Sequence, residues 1–247
     1  MNQFEVRDLS FSLNGVRILS NLNFSFSDTS MVFILGHNGS GKSTLLKIIS
    51  LIYENYEGKV IVGDNDIKNI AKTKLADFIA FVPSELFCPY DFLVKDIIVM
   101  GRNPKKKLWE DYDKNDYHKV YEIMSELQIE YLKDRSINRI SSGEKQLVFL
   151  AQALIQNPKI LLLDEPTSHL DINYKLKIFD ILIKAKKRGI SSLIVSHEIR
   201  PVKFYSDYVL VLKNGEQIFY GSKEKINDKI ISQAYNIKND EELKKII

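Results

Sequence analysis

The chain of 247 residues is 45% hydrophobic, carries a formal net charge of +3 and has one cysteine. That length allows one large domain with a subdomain, the apolar fraction is enough for a substantial core, and the charge is too small to argue by itself for nucleic acid. No apolar stretch approaches the roughly 18 uncharged residues of a spanning helix, nothing at Met1 resembles a secretory signal, and the lone Cys88 can form neither an internal disulfide nor a cysteine metal cluster, so a soluble, cytoplasmic chain is expected.

Residues up to about Phe26 read as β-structure. Leu22, Phe24 and Phe26 alternate with Asn23 and Ser25, and Asn14-Gly15 before them is a hairpin signal. Met31 to Leu35 is an apolar run of buried-strand character. Gly36-His37-Asn38-Gly39-Ser40-Gly41-Lys42-Ser43-Thr44 follows it, and then come Leu45, Leu46, Ile48 and Ile49 at helical spacing. A glycine-rich turn between strand and helix is what a triphosphate needs. Its glycines let the backbone curl so that several amide N–H groups point at the phosphates, aided by the helix N-terminus. Lys42 would reach the β- and γ-phosphates and the Ser43 hydroxyl would ligate Mg²⁺. The expectation is a nucleotide-binding chain.

Val60 to Val62 and Ile79 to Val82 are further strand candidates. From Tyr90 to about Tyr131 the pattern turns helical and polar, with Tyr117, Val120, Tyr121, Met124 and Leu127 on one face, as a helical subdomain inserted into the core would be. Within it, Lys105-Lys106-Lys107 reads as a solvated loop. Ser141-Ser142-Gly143 opens a helix running from Ser142 to Gln156, where a serine and a glycine make an N-terminus that can approach an anion closely. Ile160 to Leu163 is an apolar strand that ends in Asp164 and Glu165. If these emerge beside the phosphate loop, Asp164 would hold the Mg²⁺ hydration shell and Glu165 would polarise the water that attacks the γ-phosphate. Another helix leads to a strand from Ile190 to Val195, followed by Ser196-His197-Glu198. Tyr208 to Leu212, Lys213-Asn214-Gly215 and Gln217 to Tyr220 read as a closing hairpin. Strands alternating with helices imply an α/β fold with a mostly parallel sheet covered on both faces.

Taken in this order, these segments resemble the ATPase subunit of ATP-binding cassette (ABC) transporters over about Phe4 to Gly221. Ile140 to Glu144 resembles the signature of that family, usually written LSGGQ. The resemblance implies a P-loop NTPase core with an N-terminal antiparallel β-subdomain. An ATPase domain would span 1–221, with a helical subdomain at about 88–143 and a helical tail at 222–247. It implies ATP and Mg²⁺ as ligands and a nucleotide-dependent, head-to-tail homodimer. Ser141, Ser142 and Gly143 would then face ATP held by the opposite subunit, with Ser141 and Gly143 contacting the γ-phosphate. Asp171 would communicate between the two sites, and His197 would bond the γ-phosphate and position the attacking water.

A narrower resemblance, carried by Phe92-Leu93-Val94 and Met100-Gly101-Arg102-Asn103-Pro104, points to importers of iron–siderophore, haem, cobalamin and related chelates. It implies membrane permease subunits docked near Tyr90 to Pro104, an extracytoplasmic substrate-binding protein, a place on the cytoplasmic face of the membrane, and no nucleic acid. Alternatives are an exporter, a non-transport ATPase and a dimerising scaffold with impaired turnover. Two positions depart from the family pattern. Ser84 stands where a glutamine is usual, a gap that Glu85 or a water would fill. Leu13 stands where an aromatic residue stacks on adenine.

Overall fold

The computed structural model describes residues 4–107 and 109–237. In chain order its elements are β1 (Phe4–Leu13), β2 (Val16–Phe26), β3 (Met31–Leu35), α1 (Lys42–Ile49), β4 (Glu57–Val62), β5 (Asn65–Asp66), α2 (Lys72–Leu75) and β6 (Ile79–Val82). Then follow α3 (Val94–Val99), α4 (Lys114–Glu126), α5 (Ser142–Ile155), β7 (Ile160–Asp164), α6 (Ile172–Lys187), β8 (Ser191–Val195), α7 (Arg200–Tyr205), β9 (Tyr208–Lys213), β10 (Glu216–Ser222) and α8 (Asp228–Tyr235).

The strands join in the order β5-β4-β1-β2-β10-β9-β3-β8-β7-β6. β9, β3, β8, β7 and β6 are parallel neighbours, while β1 pairs antiparallel with both β2 and β4, and β9 with β10. The sheet is thus parallel from β9 out to the β6 edge and antiparallel at the end built from the first strands. Continuous apolar runs such as Met31–Leu35 and Ile160–Leu163 suit the centre, because a strand buried on both faces has no polar side. Their side chains sort by parity. Phe33, Leu161, Leu163 and Ile194 join the core made with α3 to α6, whereas Val32, Ile34, Leu162 and Leu193 join the core made with α1, β1 and β2. The β1–β2 turn has Asn14 and Gly15 at φ +50° and +79°, the paired left-handed conformation of a two-residue hairpin.

Between β6 and β7 the chain leaves the sheet and forms α3, α4 and α5, tied by a bridge between Leu93 and Ser136. The buried face of α4 carries Asp116, Val120, Ile123 and Met124, with Leu127 just beyond. Tyr121, placed on that face by spacing alone, is 45% exposed; the face is rotated toward Ile123. The lysine run departs from a solvated loop at Lys106, while Lys105 and Lys107 are exposed. Lys105 pairs with Asp77, and Lys106 is nearly buried with its Nζ 2.5 Å from Asp116 Oδ2. Residues 238–247, the end of the expected helical tail, lie outside the described residues.

Asp116 is 3% exposed and is the N3 residue of the α4 capping box. Burial pushes its carboxyl up, but hydrogen bonds from Lys106, the Asp113 N–H and Arg102 outweigh it and hold the group at about 2. A depressed carboxylate stabilises the fold above its unfolded pKa, and that contribution is lost as pH falls through the folded value. Asp116→Asn is expected to lower unfolding free energy by about 2 kcal/mol at pH 7. In urea titrations the gap from the wild type should narrow as pH drops from about 4 toward about 2.

Candidate functional site

A cleft of about 800 Å³ opens at the C-terminal edge of the parallel strands, lined by Ile18, Asn38, Gly39, Gly41, Lys42, Ser43, Thr44, Glu165, Ser168, His169, His197 and Glu198. Its floor is the turn from β3 into α1. Gly36, Gly39 and Gly41 have φ of +146°, +79° and +97°. At Gly36 and Gly41 a side chain would collide with the Leu212 carbonyl at 2.2 Å and the Leu19 side chain at 2.4 Å. Lys42 is 5% exposed, and its Nζ donates to the carbonyls of Gly36 (2.8 Å) and His37 (2.9 Å). Burial lowers its pKa against the opposing pull of Glu165 and Asp164. The Ser40 hydroxyl is buried without a hydrogen-bond partner.

The wall comes from the ends of β7 and β8. Ser43 Oγ donates to Asp164 Oδ1 at 2.9 Å. Burial raises the Asp164 pKa, the Ser43 hydrogen bond opposes this, and the Glu165 charge adds to it. Glu165 sits at φ +51° with its N–H donating to the Val195 carbonyl at 3.1 Å. Both of its carboxylate oxygens are engaged: His197 Nε2 lies 2.5 Å from Oε1, and Ser168 Oγ donates to Oε2 at 2.9 Å. Glu198 pairs with Lys175 at the rim.

The donor set fits a magnesium polyphosphate. Amides of a left-handed glycine turn and a buried ammonium are suited to phosphate oxygens. A hydroxyl and a carboxylate are hard oxygen donors of the kind Mg²⁺ takes alongside substrate phosphates. Among the described residues no cluster of three His, Cys, Asp or Glu offers a separate all-protein metal cage.

Other candidate residues lie apart from this cleft. Ser141, Ser142 and Gly143 form the N-terminus of α5 and are absent from the cleft lining. Ser141 and Glu144 make a reciprocal capping box, Glu144 also accepts from the Tyr131 hydroxyl at 3.0 Å, and the Tyr174 ring packs against Gly143. Asp171 caps α6, accepting from the N–H groups of Asn173 and Tyr174. Ser84 and Glu85 are exposed and do not line the cleft. Leu13 is 42% exposed, and Ile18 is the apolar residue of the β1–β2 hairpin that reaches the cleft. Ile18 had no motif to single it out, whereas Ser168 and His169 stand just before Asp171 and Glu198 stands just after His197, on the loops that bring them to the cleft.

Residues 19–168 match the family described as ABC transporter. The chain is 35% identical to the manganese transport system ATP-binding protein of Halalkalibacterium halodurans, over 88% of this chain and 85% of that protein. It is 31% identical to the petrobactin import ATP-binding protein of Bacillus anthracis, over 84% of this chain and 77% of that protein. Among solved structures it is similar to an inward-facing ABC transporter assigned to the metal-chelate type, with a TM-score of 0.83 and 25% identity over 95% of this chain and 89% of that one.

Two expectations follow from the cleft. Lys42→Ala should weaken ATP binding about 100-fold, because charge-assisted hydrogen bonds are lost from a desolvated site; titration calorimetry with MgATP checks this. With Ile18 and Leu13 in place of an aromatic platform, about 1 kcal/mol of base stacking is missing. GTP should therefore compete with ATP within about five-fold in a displacement assay.

Proposed function

The chain belongs to the ABC transporter family as an ATPase, and we propose that it powers import of a metal chelate through a separate membrane permease. The observation that carries the ATPase chemistry is the meeting of Lys42, the Ser43–Asp164 pair and the Glu165–His197 pair in one cleft. ATP enters as substrate, with its phosphates along the amides of residues 38–44 and its γ-phosphate toward Lys42. Ser43 and Asp164 would hold Mg²⁺, which when bound neutralises charge on the phosphates. Glu165 orients a water and takes its proton as the water oxygen bonds to the γ-phosphorus and the bond to the ADP oxygen breaks. His197 holds the Glu165 carboxylate before nucleotide arrives and donates toward the γ-phosphate afterwards.

The signature residues Ser141 to Gly143 lie outside the cleft of their own chain. This supports a head-to-tail pairing of two copies, in which the α5 N-terminus of one closes the ATP site of the other. Hydrolysis would then be gated by dimerisation. Among the described residues no helix is long and apolar enough to cross a membrane, and in this reading the spanning helices belong to the permease.

Its docking surface is narrower than Tyr90 to Pro104, because Val94, Ile97, Ile98, Val99 and Gly101 are buried. Phe87, Tyr90 and Phe92 are exposed by 82%, 68% and 38%. They neighbour a groove of about 460 Å³ that includes Asp91, Asp134, Arg135 and Arg139. That surface would sit against the cytoplasmic side of the permease. The narrower relatives argue for a metal or metal-chelate cargo, to be delivered by an extracytoplasmic binding protein.

Glu165→Gln should bind ATP and form a stable dimer by size exclusion while hydrolysing it at least about 100-fold more slowly. Purified with ATP from detergent-solubilised membranes of the native cell, tagged Glu165→Gln is expected to bring a many-helix membrane protein with it. Recovery of soluble partners alone would overturn the transport reading and leave the ATPase core intact.

A further inference from the structure

The outer flank of the phosphate loop is held by the β9–β10 turn. Asn214 and Gly215 occupy that turn at φ +50° and +82°. The Gly215 N–H donates to the Ser40 carbonyl at 3.2 Å, and the Gly215 carbonyl accepts from the Ser20 N–H at 2.9 Å, so the turn is wedged between the loop and β2. The contact leaves no room for a side chain. A Cβ at Gly215 would lie 2.2 Å from the Ile18 carbonyl, and one at Gly36 would lie 2.2 Å from the Leu212 carbonyl.

Across this seam the two nitrogens of the His37 ring meet the Asn214 amide and the Asn38 carbonyl, with Nε2 3.0 Å from Asn214 Oδ1 and Nδ1 2.6 Å from Asn38 O. His37 is also the residue whose carbonyl holds Lys42 Nζ. The side chain of Asn214 is therefore joined, through one imidazole, to the backbone that carries the ammonium of the site.

We propose that Asn214 is a positioning residue for the nucleotide: acting through His37, it fixes the start of the phosphate loop in the shape that receives the phosphates. The proposal deepens, and rests on, the reading of the cleft as an ATP site. Two features make Asn214 suited to this role. Asparagine is among the few residues that tolerate the left-handed conformation of the turn, and its amide is short enough to present an oxygen there. A loop shaped in advance does not have to be ordered at binding, so removing the tether costs affinity. Since the tether acts equally on bound ATP and on the transition state, its loss appears in KM and leaves kcat in place.

The experiment compares the full-length wild type with Asn214→Gly and Asn214→Asp, using MgATP in calorimetry and in steady-state hydrolysis. Glycine keeps the turn, because it takes a positive φ freely, and removes the side chain. Aspartate keeps both the turn and an acceptor oxygen. Asn214→Gly is expected to weaken MgATP binding and raise KM by about five-fold with kcat held within about two-fold, and Asn214→Asp to return both to about the wild-type values. Unchanged affinity in Asn214→Gly, a fall in kcat at constant KM, or no recovery in Asn214→Asp would each overturn the role of Asn214 while the wild type still bound MgATP. A wild-type chain that bound no MgATP would overturn the ATP reading, and this proposal with it.

Discussion

Three neighbouring parallel strands, β3, β8 and β7, run in a shared register, and the placement of the chemistry depends on it. Ile34 pairs with Val195, and Val195 with Asp164. The segments that follow, Gly36 onward, Ser196-His197 and Asp164-Glu165, therefore leave the sheet at one edge and meet. Open α/β sheets hold their ligands at this edge because the strand ends and helix starts converge there. Glu165 extends the ladder one step past β7 by donating to Val195, and takes a left-handed φ in doing so. The register itself is enforced by parity. A slip of one residue would turn Phe33 and Ile34 into each other's cores, and both cores are closed.

This layout explains what could be read from the amino acids and what could not. The central strands were legible because burial on both faces leaves uninterrupted apolar runs, and the β3–α1 turn because few sequences other than a phosphate loop concentrate glycine, lysine and serine in that order. Asp164, Glu165 and His197 follow such strands, so their location at the sheet edge was legible too. Ile18 was not, since an isoleucine in a hairpin has the same local pattern whether or not a cleft lies beside it. Tyr121 was placed on the wrong face because a tyrosine ring fits both an apolar stripe and a wet one, and the packing of α4 against α5 decides between them. Lys106 defied its composition because a buried Asp116 awaited it, ten residues away and invisible to any count of charges.

The electrostatics of the cleft point to a ligand carrying both signs. Lys42 is buried with a lowered pKa, and Asp164 is buried with a raised one. The ammonium donates to two carbonyls and the carboxylate accepts from a hydroxyl, while the attraction between Lys42 and Asp164 offsets only part of the cost of burying each. A polyphosphate would give the first an anion, and its divalent cation would give the second a counter-charge. Binding of the pair together therefore relieves both desolvation costs, where either alone would relieve one.

The position of β3 in the sheet also bears on the order in which the molecule can be made. β3 is complete by Leu35, yet both strands it pairs with, β8 and β9, begin only at Ser191 and Tyr208. A nascent chain emerging at about 5–20 residues per second carries that strand without sheet partners for roughly 8 to 31 s. During that interval Val32 and Ile34 have α1, β1 and β2 to pack against, whereas both edges of the strand stay without their hydrogen-bond partners. A further contact on the loop, in which the Gly36 N–H donates to the Tyr235 hydroxyl at 3.4 Å, forms only after α8 has been translated. The phosphate loop is thus translated long before the strands that flank it in the sheet, and its setting is complete only once β8 and β9 have joined β3.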